Sequence, residues 1–135
     1  VQRERFMKKL IIIFTLCAFT VPVEASDLRA CPKDPTKPFL NCFGPYTTPG
    51  GTKYFGEFKN DKYHGKGSII YSNGDKYIGG FKDNAHEGNG VYIFSTGEKF
   101  MGEFKAQNPN GYGIMIYPNG SIQAGRWENW NFLGN

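Results

Sequence analysis

The 135-residue chain has little of what active sites and metal centres are usually made from: two histidines, two tryptophans and three cysteines. No two cysteines stand in C-x-x-C spacing, and none is matched with histidines, so a metal-binding or reactive thiol pair has no support. Gly65-Lys66-Gly67 lacks the strand-to-helix context and the Lys-Ser/Thr ending that a phosphate loop needs. No apolar run approaches the roughly 20 residues of a membrane-spanning helix. The longest, Leu10 to Val21, is about half that and is followed at once by Pro22 and Glu24. From Ser26 onward, helical apolar spacing never coincides with the length a helix requires.

The apolar run has a different reading. Met7-Lys8-Lys9 is a basic start, Leu10 to Val21 an apolar centre, and Val23-Glu24-Ala25 ends on a small residue, the three parts of a secretory signal cleaved after Ala25. Residues 1–6 precede the methionine and read as a start placed too early. Cys17 lies in the run, but Phe14-Thr15-Leu16 before it matches lipoprotein processing poorly. The signal predicts export to the periplasm or the extracellular space, with membrane association as the alternative. Removing residues 1–25 takes away Arg3, Arg5, Lys8, Lys9, Glu4 and Glu24, which leaves 12 basic residues against 10 acidic. So near-neutral a chain gives no electrostatic footprint for nucleic acid. Cys31 and Cys42 remain, and in an oxidising compartment they are expected to form a disulfide.

What the chain has in excess is glycine, 18 residues, and the excess is periodic. Tyr54-Phe55-Gly56-Glu57-Phe58-Lys59 returns 23 residues later as Tyr77-Ile78-Gly79-Gly80-Phe81-Lys82, then as Phe100-Met101-Gly102-Glu103-Phe104-Lys105, and finally as Gln123-Ala124-Gly125-Arg126-Trp127-Glu128. Gly65-x-Gly67 returns at Gly88-x-Gly90 and Gly111-x-Gly113, and Gly74 returns at Gly97 and Gly120. Such a period marks a repeat architecture. The units are 54–76, 77–99 and 100–122, with a partial unit at 123–135. Gly44, Gly51 and Lys53 extend the register backward to a half unit at 42–53. Residues 26–41, rich in proline, then read as an N-terminal cap tied down by Cys31 and Cys42.

Each unit contains two short runs rich in aromatic and β-branched residues with alternate columns apolar, the pattern of strands with one face on a core. A polar loop ending in Gly-x-Gly is expected between them. Asn73-Gly74 and its equivalents follow, a hairpin signal in which both central residues take positive φ. The fold class is therefore all-β: an elongated, twisted antiparallel sheet of successive hairpins. Gly56, Gly79, Gly102 and Gly125 fall inside strands, where glycine marks a bulge or a close approach. The aromatic residues two before and two after share that face, so rings are expected to lie over bare backbone.

The pattern Tyr-x-Gly-x-Phe/Trp followed by Gly-x-Gly and Tyr-x-x-Gly at a 23-residue period resembles the MORN (membrane occupation and recognition nexus) repeat. Tyr54, Gly56, Phe58, Gly65, Gly67, Tyr71 and Gly74 fit it, as do Tyr77, Gly79, Phe81, Gly88, Gly90, Phe94 and Gly97. The third unit opens with Phe100 and the fourth with Gln123. A short chain with a cysteine pair ahead of the repeats looks like the small exported MORN proteins of bacteria. The resemblance implies a non-catalytic binding or scaffolding module, with phospholipid attachment as a family association.

Three aromatic columns are the candidate sites: Tyr54, Tyr77 and Phe100; Phe58, Phe81, Phe104 and Trp127; and Tyr71, Phe94 and Tyr117. Most of these rings are expected in the core, and one column is expected to line a groove for a protein partner or a second copy. Tyr46, Tyr63, Tyr92 and Tyr112 are looser candidates. Lys53, Lys76 and Lys99 form a basic column that could meet anionic lipid. His64 and His86 stand in different columns and read as loop residues; Glu57 and Glu103 read as solvated strand positions. No cofactor, metal or catalytic residue is expected. Trp127, Trp130 and Phe132 form either a closing cap or an exposed edge.

Overall fold

The computed structural model describes residues 28–34 and 36–135; the export signal and the early start lie outside them. Nine strands form one open sheet: β1 Asn41–Thr47, β2 Lys53–Lys59, β3 Lys62–Ile70, β4 Lys76–Lys82, β5 Ala85–Ile93, β6 Lys99–Lys105, β7 Asn108–Ile116, β8 Ile122–Glu128 and β9 Asn131–Gly134. Their order in the sheet is their order in the chain, and every neighbouring pair is antiparallel. The array is a run of hairpins, as the period predicts.

The turns are distributed the other way round from the expectation. The tight two-residue turns with both φ positive are Asn60-Asp61, Asp83-Asn84, Ala106-Gln107 and Asn129-Trp130. At Asn73-Gly74 only the glycine is left-handed, with φ of 93°. There the Gly74 N–H donates to the Tyr71 carbonyl and the Tyr71 N–H to the Asp75 carbonyl, closing a three-residue loop whose last position alone needs positive φ. The Gly-x-Gly segments are not loop residues either. They lie inside β3, β5 and β7, opposite register shifts between Gly56 and Phe58, Gly79 and Phe81, and Gly102 and Phe104.

Register explains the periodic glycine. Gly44, Gly56, Gly67, Gly79, Gly90, Gly102, Gly113 and Gly125 are successive pairing partners, so one bare line crosses eight strands. The rings fill it. A Cβ on Gly79 would lie 2.6 Å from the Tyr77 hydroxyl oxygen and 2.7 Å from the Gly90 Cα. The tyrosine hydroxyl crosses this line to donate to a carbonyl three residues ahead, Tyr54 to Glu57 at 2.8 Å and Tyr77 to Gly80 at 3.0 Å.

The core is consequently a zigzag of rings along one face. Phe58, Tyr54, Phe81, Tyr77, Phe104, Phe100 and Trp127 follow one another with centroids 5.0–5.4 Å apart, each pair edge to face. Such pairs add roughly 0.5–1.5 kcal/mol each beyond area burial, which suits a sheet with no second layer among the described residues.

The tight turns dock onto the preceding unit. The Asn84 N–H donates to the Tyr63 carbonyl at 3.0 Å, and the Asn84 side-chain oxygen accepts the Tyr63 N–H at 2.8 Å. Gln107 holds His86 in the same two-pronged way, and Asp61 holds Phe39. At the last turn the pattern changes on both sides at once: Trp130 has no side-chain carbonyl to offer, and the residue opposite is Pro109, which has no N–H to satisfy. Trp130 instead packs over Phe94 and Tyr92 at 5.1 and 5.3 Å. On the far side of the sheet the Cys31–Cys42 disulfide joins the segment before β1 to that strand. Beside it the Cys31 N–H donates to the Phe43 carbonyl, and the Phe43 N–H to the Arg29 carbonyl.

Candidate binding surface

Seven of the ten aromatic candidates are not available to a partner. Tyr54, Phe58, Tyr77, Phe81, Phe100, Phe104 and Trp127 are at most 4% exposed. Two of the three columns are therefore core, the place expected for most of these rings, and neither can be the groove column: rings needed to cover the glycine line cannot also line an open groove. The third column is half-buried and engaged. Tyr71 shares a 2.8 Å hydrogen bond with His86 Nε2, Phe94 lies under Trp130, and the Tyr117 hydroxyl donates to the Gln123 side chain. Of the looser candidates, Tyr46, Tyr63 and Tyr92 pack against the core, and Tyr112 is open, beneath the Arg126 guanidinium at 5.5 Å.

Neither histidine is a loop residue. His64 lies in β3, and His86 in β5 is fully buried. The His86 ring stacks on Tyr77, as Tyr63 stacks on Tyr54 one unit earlier, and its Nδ1 has no hydrogen-bond partner. Burial holds its imidazole far below the ordinary histidine value, at about 4. A small β-compatible ring filling a tyrosine's place is invisible to column matching, which compares residue identities. Asp75 is buried too. Burial raises its carboxyl pKa, but hydrogen bonds from the Ser95 N–H, the Tyr92 hydroxyl and the Asn73 amide outweigh that and hold it below the usual carboxylate range. Both groups tie successive units together. No cluster of three or more metal-ligating side chains occurs among the described residues.

Glu57 is more than a solvated position: its carboxylate accepts the Lys66 N–H at 3.2 Å and covers the bulge at Gly65. Glu103 covers Gly111 in the same way.

The open surface is the opposite face of the sheet. Pairing register puts Pro45, Phe55, Ser68, Ile78, Val91, Met101, Ile114 and Ala124 in one row across β1 to β8. Phe55 and Ile78 are 51% and 55% exposed, Met101 and Ile114 each 38%. Phe43 meets Phe55 edge to face at 4.7 Å, an aromatic cluster on this surface. The adjoining row alternates Lys53, Ile70, Lys76, Ile93, Lys99 and Ile116. At roughly 4.8 Å between strands, lysines two strands apart stand about 10 Å from one another. A row about 30 Å long, apolar except at Ser68, runs beside them.

The family model for the MORN repeat matches residues 54–76, 77–99 and 100–122, three consecutive units that span more than half the chain. The chain belongs to the MORN repeat family. No curated protein matches it. MORN repeats are binding and scaffold modules, and they commonly mediate protein or membrane interactions. In this MORN array the residues that define the repeat are spent on folding: the Tyr/Phe column, the glycine line and the Phe/Trp column are one core. The positions the pattern writes as x include those left exposed on the opposite face. The x of Tyr-x-Gly is Phe55, Ile78, Met101 and Ala124, apolar in all four units although strand alternation assigns it to the solvent side. That signal was present in the sequence.

Proposed function

We propose that this MORN array is a non-catalytic module, exported to an oxidising compartment, that binds a protein partner through the sheet face opposite its aromatic core. The observation that carries the reading is the exposed stripe of Phe55, Ile78, Met101 and Ile114, because contiguous apolar surface with a polar rim marks interaction sites. Lys53, Lys76 and Lys99 at its border fit a partner whose apolar contact patch is flanked by carboxylates. The Cys31–Cys42 disulfide accords with export, since such bonds persist in oxidising compartments.

A photoreactive residue at position 78, on the stripe, and another at position 96, in an exposed turn, test this in the native cell. Capture of one protein from position 78 and not from position 96 is the expected result, with loss of capture on Met101→Glu. Equal capture from both positions contradicts it.

The lysine row favours a second reading, attachment to an anionic lipid surface at about 1 kcal/mol per lysine. Vesicles containing phosphatidylglycerol separate the two. Sedimentation of the protein that is abolished at high salt supports lipid; its absence at low salt leaves the protein partner.

A further inference from the structure

We propose that a cavity on the core face, between the segment before β1 and the hairpin of β2 and β3, binds a tyrosine side chain presented by another protein, a site separate from the sheet face above.

The cavity has a volume of about 330 Å³ and is walled by Phe39, Tyr46, Phe58 and Tyr63. It lies where the repeat changes a residue. Thr48, Tyr71, Phe94 and Tyr117 are equivalent: each N–H donates to the carbonyl four residues on, and each carbonyl accepts the N–H three residues on. Tyr63, His86 and Pro109 are equivalent as well, since the tight turn of the next hairpin docks on the carbonyl of each. Tyr71 lies over His86, the rings 6.2 Å apart and the hydroxyl 2.8 Å from Nε2, and His86 is fully buried beneath it. One unit earlier Thr48 stands in the place of Tyr71, and Tyr63 in that of His86. Threonine has no ring to reach across, so Tyr63, stacked on Tyr54, stays partly exposed.

The lining specifies a phenol. Tyr71 is held by its hydroxyl, which the Gln107 side-chain NH2 reaches at 3.5 Å. Asn84, which lines the cavity, is the equivalent of Gln107: its side-chain oxygen accepts the Tyr63 N–H as that of Gln107 accepts the His86 N–H, which leaves its NH2 to donate. A phenol seated on Tyr63 meets that donor, the Tyr63 hydroxyl, and the rings of Phe39 and Phe58. Lys37 and Asp61 complete the lining, a donor and an acceptor for the C=O and N–H of a peptide bond, which favours a tyrosine within a chain over a free phenol. All eight tyrosines of this protein lie among the described residues. Seven pack in or against the core and Tyr112 is held beneath Arg126, so the incoming ring belongs to another protein.

The probe is N-acetyltyrosinamide, titrated into the isotope-labelled protein and followed by NMR. Shifts at Tyr46, Tyr63 and Asn84 that saturate at millimolar concentration are expected. N-acetylphenylalaninamide should bind about fivefold more weakly, the worth of one neutral hydrogen bond. Asn84→Gly suits the φ of 71° and removes the donor, so it should narrow that difference. Thr48→Tyr restores the residue of the next unit; it should raise the melting temperature and exclude the probe. The turn tolerates the change, because the same backbone hydrogen bonds form at Tyr71. The proposal is overturned by an absence of shifts at Tyr63 and Asn84, by equal binding of the two probes to the native protein, by an unchanged difference in Asn84→Gly, or by undiminished binding to a folded Thr48→Tyr variant. Binding of 4-methylphenol as tight as that of the tyrosine probe overturns it in favour of a free phenol. The same shifts on raising the protein concentration alone overturn it in favour of a second copy.

Discussion

The His86 imidazole lies parallel to the Tyr77 ring, centroids 3.6 Å apart and planes within 14°, with its Nε2 on the Tyr71 hydroxyl. A histidine held neutral there makes the array sensitive to acid. Its folded pKa of about 4 lies below the unfolded value near 6.5. The stabilisation it gives is fully present above pH 6.5 and is lost as pH falls from there toward 4, because the unfolded chain takes up the proton first. The slope approaches about 1.4 kcal/mol per pH unit across that window. His86→Phe keeps the stack and removes the titration. Thermal melts from pH 7.5 to 4.5 should show a steeper fall for the native protein than for the variant; parallel curves would refute the buried neutral state.

Gly79→Val drives a side chain into the Tyr77 hydroxyl and the Gly90 backbone. The ring must leave its place, and a loss of about 3 kcal/mol or more is expected, in line with overpacking plus a displaced aromatic residue. Gly50→Ala is the control, since its only neighbour within 4 Å is the Thr48 hydroxyl at 3.9 Å. A melting temperature that barely moves for Gly50→Ala and drops steeply for Gly79→Val is the outcome that fits the glycine line.

The turn-to-unit staple predicts a chemical rule. Asn84→Asp keeps an acceptor for the Tyr63 N–H, as Asp61 does for Phe39, and should cost little. Asn84→Leu removes the acceptor and puts a bulky residue at φ of 71°, and should cost about 2 kcal/mol. Amide exchange at Tyr63 would distinguish the two, fast in the leucine variant and slow in the aspartate one.

Reduction of Cys31–Cys42 releases the cap from β1. The residues are 11 apart in sequence, and closing a loop of that size is worth roughly 2–3 kcal/mol. A lower melting temperature with dithiothreitol, and none of that sensitivity in a Cys31→Ala/Cys42→Ala variant, is the expected pair of results.

Much of the fold could be read before any coordinates. The period placed the strands, and the glycine columns announced rings over bare backbone. The turn geometry is harder to read, because Asn73-Gly74 carries the tight-turn signal yet closes a three-residue loop, whereas Asp83-Asn84 and Ala106-Gln107, which lack glycine, take positive φ at both positions. Their second residues also dock on the preceding unit, a tertiary contact that local composition does not report. His86 was missed for a related reason: its burial follows from the ring it stacks on. The surface was harder still. Aromatic columns look like binding sites, yet among the described residues they make up most of the core, and the exposed row lies among the residues between them.

The most direct test of the account is the pair of double variants Ile78→Glu/Met101→Glu and Phe81→Ala/Phe104→Ala, each assayed for melting temperature and for capture of the partner from a photoreactive residue at position 114. The outer-face pair should leave the melting temperature within a few degrees and abolish capture, and the core pair should lower the melting temperature sharply. An outer-face pair that unfolds the protein, or that captures the partner undiminished, would contradict the division of this sheet into a folding face and a binding face.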